Sequence, residues 1–434
     1  MSPHPFAERR ARVLAQIGGG VAILPAAPQL FKSRDTEVRF RQDSDFFYLT
    51  GFDEPEAVAV LTPHDESHRF TLFVRPRDPE REAWAGRRAG VEGARERYGA
   101  DAAYPIDALD EHLKRLVEPA DRIVYALGND PLLDGRVIDL VAHFRRARQR
   151  SGQGPLEVCD PATVLDPMRV IKDAGEIERL RAACTLTAEA HRAAMRAARP
   201  GIGEWELEAE LEYVFRKGGA SGPAYPSIVG SGANATVLHY VANDQRAADG
   251  DLILIDAGAE LDNYCGDITR TFPASGRFSA EQRAIYQVVL AAEQAAIAAV
   301  RPGAPFSAIH DAAVFVLTTG MVDLGLLQGD VQTLIAEGAY KRFYQHQTSH
   351  WLGLDVHDVG LYKQNGEAVL LEPGMVLTIE PGLYVAADAD GVPASLRGIG
   401  VRIEDDLLVT ADGHEILTRG VPVLPDEIEA LMAG

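Results

Sequence analysis

The sequence predicts a smaller α/β domain over residues 1–168, followed by an α+β domain over residues 169–434 that carries an internal repeat. Three observations lead there. A chain of 434 residues exceeds what one ordinary hydrophobic core supports. Up to about residue 165, strand-like apolar runs alternate with helix-like ones, the pattern of α/β architecture. Beyond it, a unit of helix, Arg-Pro-Gly, helix and acid-bearing strands occurs twice, as a duplicated half would.

In chain order, helices are expected at 5–17, 108–117 and 137–148, and strands at 21–24, 57–61, 70–74 and 123–127. Gly18-Gly19-Gly20 precedes a strand instead of opening a helix, which argues against a nucleotide-binding loop. Residues 39–48 mix charge with aromatics and read either as an edge strand with a loop or as a surface facing substrate or a second subunit. Trp84, beside Gly86-Arg87-Arg88, is an aromatic in a polar loop and a candidate interface contact. Residues 151–155 and 165–167 read as connections. A long helix at 176–198 stops at Arg199-Pro200-Gly201, and another covers 205–217. Ser279 and Gln282 form a capping box for a helix reaching 300, which stops at Arg301-Pro302-Gly303 before a helix at 306–319.

A hydrophobic fraction of 46% and a charged fraction of 25% are those of a soluble globular protein. The formal charge of −21 excludes nucleic acid as an expected partner, because phosphate would be repelled over most of the surface. Cys159, Cys184 and Cys265 are too few and too scattered for a disulfide framework, so a reducing compartment is expected. No apolar stretch has membrane-spanning length, and the arginines ahead of residue 13 lead into a segment broken by Gln16 and the glycines. A cytoplasmic location follows as the expectation.

Chemistry-bearing residues concentrate in the second half. The apolar run Leu252-Ile253-Leu254-Ile255 ends at Asp256, and Asp267 precedes a second strand-like run, so an antiparallel pair would bring both carboxylates together. Two adjacent acids repel unless something strongly positive lies between them. Three further segments place polar groups on apolar strands: 346–358 with His346, His350 and His357, 374–384 with Glu380 and Tyr384, and 398–406 with Arg402 and Glu404. Strand alternation puts Arg402 and Glu404 on one face and Val401 and Ile403 on the other. One such glutamate is ordinarily a surface acid; five such residues at strand ends beside Gly or Pro are harder to dismiss. Two aspartates, two glutamates and a histidine suit hard divalent ions such as Mn²⁺, with Co²⁺ or Zn²⁺ as alternatives. Four carboxylates balance two divalent cations, and such a pair, about 3.5–4 Å apart, lowers the pKa of a shared water towards neutrality.

At these residues the sequence resembles the metal-dependent pita-bread family that includes methionine aminopeptidase, prolidase and aminopeptidase P, most closely the last. The resemblance covers residues 40–52 and nearly everything from Met168 onward, and the order Asp, Asp, His, Glu, Glu with its flanks is highly specific. It implies a pita-bread catalytic domain with an internal pseudo-two-fold, behind an N-terminal α/β domain of the aminopeptidase P type. Asp267 and Glu404 would bridge two Mn²⁺ ions, Asp256 would complete one, and His350 with Glu380 the other. A bridging hydroxide would attack the carbonyl before proline, with Glu380 passing a proton to the leaving nitrogen. His239 and His357 would hydrogen-bond the substrate or the tetrahedral intermediate, and His346 would line the pocket. The sequence departs from the family at Gln347-Thr348, where Gly-Leu is common.

The resemblance also implies a peptide substrate with proline in second position. Such a bond is a tertiary amide without an N–H, so a pocket shaped for the rigid ring rejects ordinary peptides. Tyr225, Tyr362, Tyr384 and Arg402 are the candidates for that pocket, and packing against the carboxylates is their alternative role. The alternatives are a dipeptidase confined to Xaa-Pro and a non-catalytic binding protein on the same fold. The five intact ligand positions weigh against the binding protein. A homodimer or homotetramer is expected, with Trp84 at a contact.

Overall fold

The structure is a computed structural model that describes residues 4–434. It divides into two compact units between Met168 and Arg169.

In the first unit, α1 (His4–Ile17), β1 (Val21–Pro25), α2 (Ser44–Thr50), β2 (Val58–Leu61), β3 (Phe70–Val74) and α3 (Pro79–Ala85) follow in order. Then come β4 (Ala102–Pro105), α4 (Leu109–Val117), β5 (Arg122–Val124), α5 (Pro131–Ser151) and β6 (Glu157–Cys159). The strands make one sheet in the order β4-β3-β2-β1-β5-β6. β1 is its hinge in topology, antiparallel to β2 (Ile23↔Val60) and parallel to β5 (Val21↔Ile123). Val21, Ile23, Val60 and Phe73 pack with Leu113, Leu116, Val137 and Phe144 from α4 and α5, which is why those helices keep an apolar stripe.

Two local expectations fail here. The segment ending at Tyr48 is no edge strand: Asp43 caps α2, accepting from Phe46 N at 2.8 Å, and Phe46, Phe47 and Tyr48 are buried. A helix buried nearly all round lacks the polar face that gives a 3.6-residue period, and its aromatics favour strand on propensity alone. Residues 165–167 are no connection either, since Pro167 lies inside a helix at Ala162–Val170. Trp84 sits on α3 and is 93% exposed.

The second unit holds α6 (Ala174–Ala197), α7 (Glu204–Lys217), β7 (Ile228–Ser231), β8 (Leu252–Ala257) and β9 (Ile268–Pro273). α8 (Ala280–Ala299), α9 (Ser307–Asp323), β10 (Val376–Ile379), β11 (Gly382–Val385), β12 (Ile399–Arg402), β13 (Asp405–Val409) and β14 (His414–Ile416) follow. Three of its sheets run β7-β8-β9, β10-β13-β14 and β11-β12. Both helix pairs pack against strands: Leu211 and Phe215 join Ile253 and Ile255, while Ala296 and Ile309 join Leu377 and Leu407.

The repeat is real at the level of hydrogen bonds. α6 opens with a capping box of Asp173 and Glu176, α8 with one of Ser279 and Gln282. After each first helix, the glycine of Arg-Pro-Gly turns the chain at positive φ, 86° at Gly201 and 78° at Gly303. Gly201 N–H donates to Ala247 O at 2.7 Å and Ala247 N–H to Ile202 O at 2.9 Å; Gly303 to Leu371 and Leu371 to Ala304 repeat the pattern at 2.8 Å each. Glu204 N–H to Gln245 O and Phe306 N–H to Val369 O complete it. Among the described residues no helix is long and apolar enough to cross a membrane.

Candidate active site

Asp256 lies near the end of β8, opposite Thr269 of β9, and Asp267 stands immediately before β9. Glu404 occupies the gap between β12 and β13, where its N–H donates to Thr269 O at 3.0 Å. His350 and Glu380 arrive together because the loop at 348–350 runs along β10: Thr378 N–H donates to His350 O at 2.9 Å and Glu380 N–H to Thr348 O at 2.8 Å.

These five residues meet in one cluster. Ligand atoms of Asp267, His350 and Glu404 all lie within 4.8 Å of one another. His350 Nε2 is 3.5 Å from both Asp267 Oδ2 and Glu380 Oε1. The Tyr225 hydroxyl touches Asp256 Oδ1 at 2.7 Å and also reaches Asp267. Arg402 Nη2 holds Asp256 Oδ2 at 2.6 Å, and its Nε reaches Thr269 Oγ1, which donates to Glu404 Oε2 at 2.6 Å.

So much acid out of water is costly unless a cation compensates it. Burial, reinforced by the neighbouring carboxylates, pushes Glu404 well above the usual carboxylate range. Asp267 is also raised, mainly by burial. Burial lifts Glu380 to about 7 against the pull of His350 and Arg402. Burial lowers His350, but Asp267 and Glu380 outweigh it and carry the imidazole to about 9. His350 Nδ1 lies 3.0 Å from Trp351 O, so its N–H is fixed there and Nε2 is turned to the carboxylates. With Nδ1 occupied, Nε2 is the nitrogen left to bind a divalent cation, which would displace the proton that the surrounding acids otherwise hold there. Asp256, Asp267, His350, Glu380 and Glu404 could hold such ions.

Tyr384 and Arg402 also reach the cluster. The Tyr384 hydroxyl lies 3.1 Å from Arg402 Nη1 and 2.8 Å from His346 Nε2. The His357 ring stands edge-on to His350, 4.6 Å between centroids, and burial followed by the charge of His350 lowers its pKa. His239 is exposed and is an electrostatic neighbour of His357. Tyr225 is placed against the carboxylates, and Tyr362 packs on Phe306 (4.9 Å) and Trp351 (5.9 Å). Gln347 is exposed, whereas the buried Thr348 hydroxyl contacts His310 Nδ1 at 2.9 Å and Tyr344 at 2.7 Å. A cavity of about 910 Å³ in the first unit, lined by Leu24, Gln42, Leu109 and Leu133, includes none of these acids; donor chemistry, not volume, marks the site.

Sequence reasoning passed over Thr269, Arg270, Asp405 and Asp406, all buried beside the acids. Their signal was present, since Ile-Thr-Arg follows Asp267 and Asp-Asp follows Glu404, but it read as strand.

Fold and site together define a metal-dependent hydrolase. The chain belongs to metallopeptidase family M24, whose model matches residues 178–411, and the aminopeptidase P N-terminal domain matches residues 6–125. An Xaa-Pro aminopeptidase of Escherichia coli is 44% identical over 434 residues, all of this chain and 98% of that one. The structure of Pseudomonas aeruginosa aminopeptidase PepP superposes with a TM-score of 0.97 at 53% identity, covering 100% of this chain and 98% of that one. Zinc-substituted E. coli aminopeptidase P in complex with product gives 0.96 at 44%, with the same coverage. The C-terminal unit therefore has the expected pita-bread fold, behind an N-terminal domain of the aminopeptidase P type.

Proposed function

We propose that this protein is a metallo-exopeptidase that removes the N-terminal residue from peptides with proline in second position, using two divalent ions, Mn²⁺ by preference. The observation that carries the reading is the meeting of two aspartates, two glutamates and one histidine in a single cluster. Asp267 and Glu404 would be shared by both ions, Asp256 would belong to one, and His350 and Glu380 to the other. Bound there, the ions supply a Lewis acid and a water acidic enough to act as nucleophile near neutral pH.

The chain's own residues do the rest. Glu380, 3.5 Å from His350 Nε2, would take a proton and pass it to the leaving proline nitrogen. His239 and His357 hold the scissile carbonyl oxygen as charge develops on it. Arg402 holds and aims Asp256, while Tyr384, itself bonded to His346, fixes Arg402. Tyr225 orients the two aspartates, and Tyr362 offers a flat wall for a proline ring. The buried Cys184 and Cys265, neither of them in a disulfide, suit a reducing cytoplasm, and the exposed Trp84 suits a homodimer or homotetramer contact.

The test compares Xaa-Pro with Xaa-Pro-Yaa after Mn²⁺ loading. Turnover of both tripeptides and longer peptides is expected, whereas hydrolysis confined to the dipeptide would replace this reading with a dipeptidase.

A further inference from the structure

Asp267 and Glu404 share an unusual position. Each lies at a break in a sheet, Asp267 just before β9 and Glu404 between β12 and β13, where ladder bonding lapses. Buried backbone groups at such breaks need another partner. Each acid finds it on the strand that follows the other. Asp406, two residues after Glu404, accepts the Asp267 N–H on Oδ2 at 2.9 Å. Arg270, three residues after Asp267, donates from Nη1 to the Glu404 carbonyl at 2.6 Å.

The two arms are tied together behind the acids. Arg270 Nη2 donates to Asp405 Oδ1 at 2.8 Å, and Thr418 Oγ1 donates to the same oxygen. Thr418 Oγ1 also accepts the Asp406 N–H at 3.1 Å, and Cys184 Sγ reaches Asp406 Oδ2 at 3.2 Å. Asp406, Thr418 and Cys184 are wholly buried, and Arg270 is 1% exposed. None of these side chains is among those grouped round the candidate cations.

We propose that Asp406 and Arg270 form a reciprocal clamp that sets the spacing of Asp267 and Glu404, and so the affinity for the cation pair. Both are positioning residues. The clamp rests on the reading of Asp267 and Glu404 as shared ligands. Its geometry makes a sharp distinction: both contacts of Asp406 fall on Oδ2, so an asparagine whose amide oxygen takes that place keeps them. Leucine, of similar volume, keeps neither.

The experiment is calorimetric titration of chelator-stripped full-length protein with Mn²⁺, with the Co²⁺ absorption spectrum as a second readout. Wild type takes up two ions, and Asp406→Asn stays within a few-fold of it. Asp406→Leu loses roughly ten- to hundredfold in affinity and changes its Co²⁺ spectrum, as expected when the support of a ligand is removed. Thr418→Val, nearly isosteric, weakens binding in the same direction and stands in if the leucine variant does not fold. Wild-type affinity and spectrum in a folded Asp406→Leu, or in Thr418→Val where leucine is not tolerated, would overturn the clamp while leaving the dinuclear reading intact. Wild type that binds no metal would overturn both.

Discussion

The Tyr384 hydroxyl joins a guanidinium to an imidazole, with Arg402 Nη1 at 3.1 Å and His346 Nε2 at 2.8 Å. Burial, with the Arg402 charge second, pulls the His346 imidazole down to about 3, so it is neutral at any working pH. The neutral ring donates from Nδ1 to Gln347 O at 2.8 Å and accepts from Tyr384 at Nε2, while Tyr384 accepts from Arg402. Tyr384→Phe should strand a buried donor and a buried acceptor at a cost of about 1–3 kcal/mol. Because Arg402 holds Asp256, kcat/KM on Xaa-Pro-Yaa peptides should fall roughly tenfold or more with the far-UV spectrum unchanged. Steady-state kinetics at saturating Mn²⁺ reads this directly, and wild-type kcat/KM would show the relay to be idle. The sequence made Tyr384 and Arg402 visible through their neighbours Glu380 and Glu404. It could not reveal the bond from Arg402 to Asp256, 146 positions away. Nor could it reveal that Thr348, in place of a more usual leucine, bonds His310 and Tyr344.

At the scale of elements, α6 carries a histidine that no pattern marks. His191 is fully buried, and its Nε2 lies 3.0 Å from Ala257 O at the end of β8, one residue past Asp256. Burial drops its pKa from 6.5 to about 4, against a weaker pull upward from that hydrogen bond. Between those values the unfolded chain binds the proton and the folded one does not, so this group's contribution to stability falls as pH drops from 6.5 towards 4. Integrated over the window, the loss is roughly 3 kcal/mol. Other buried acids titrate with the opposite sign, so the measurement is the difference in urea midpoint between wild type and His191→Gln from pH 4.5 to 8. That difference should shrink as pH falls; a flat difference would show that His191 does not titrate with folding. The long helices were legible because Arg-Pro-Gly ends them and capping boxes begin them. α2 was not, because Phe46, Phe47 and Tyr48 are buried together and leave no amphipathic period.

For the whole molecule, the charge of −21 has an internal part. Asp267, Glu404, Asp405, Asp406 and Glu293 are all buried in the second unit, and Glu293 is pushed well above the carboxylate range by burial and by Asp405. Composition gave the excess acid, and the order of Asp, Asp, His, Glu and Glu marked where some of it converges. The back layer stayed hidden because its acids are paired across long separations, Asp406 with Asp267 139 positions apart and Arg270 with Asp405 135 apart. A fold that buries this many carboxylates is stabilised by whatever cation binds them, because the unfolded chain offers no such site. Chelation should therefore lower the melting temperature as well as abolish hydrolysis, and Mn²⁺ should restore both. At a hundredfold excess over Kd one ion contributes about 2.7 kcal/mol, a rise of roughly 5–10 °C for a domain of this size. The shift should grow with the logarithm of Mn²⁺ concentration above Kd. Scanning calorimetry of stripped and loaded protein decides it, and identical melting in both, with chelator-insensitive turnover, would refute the metal reading at its root.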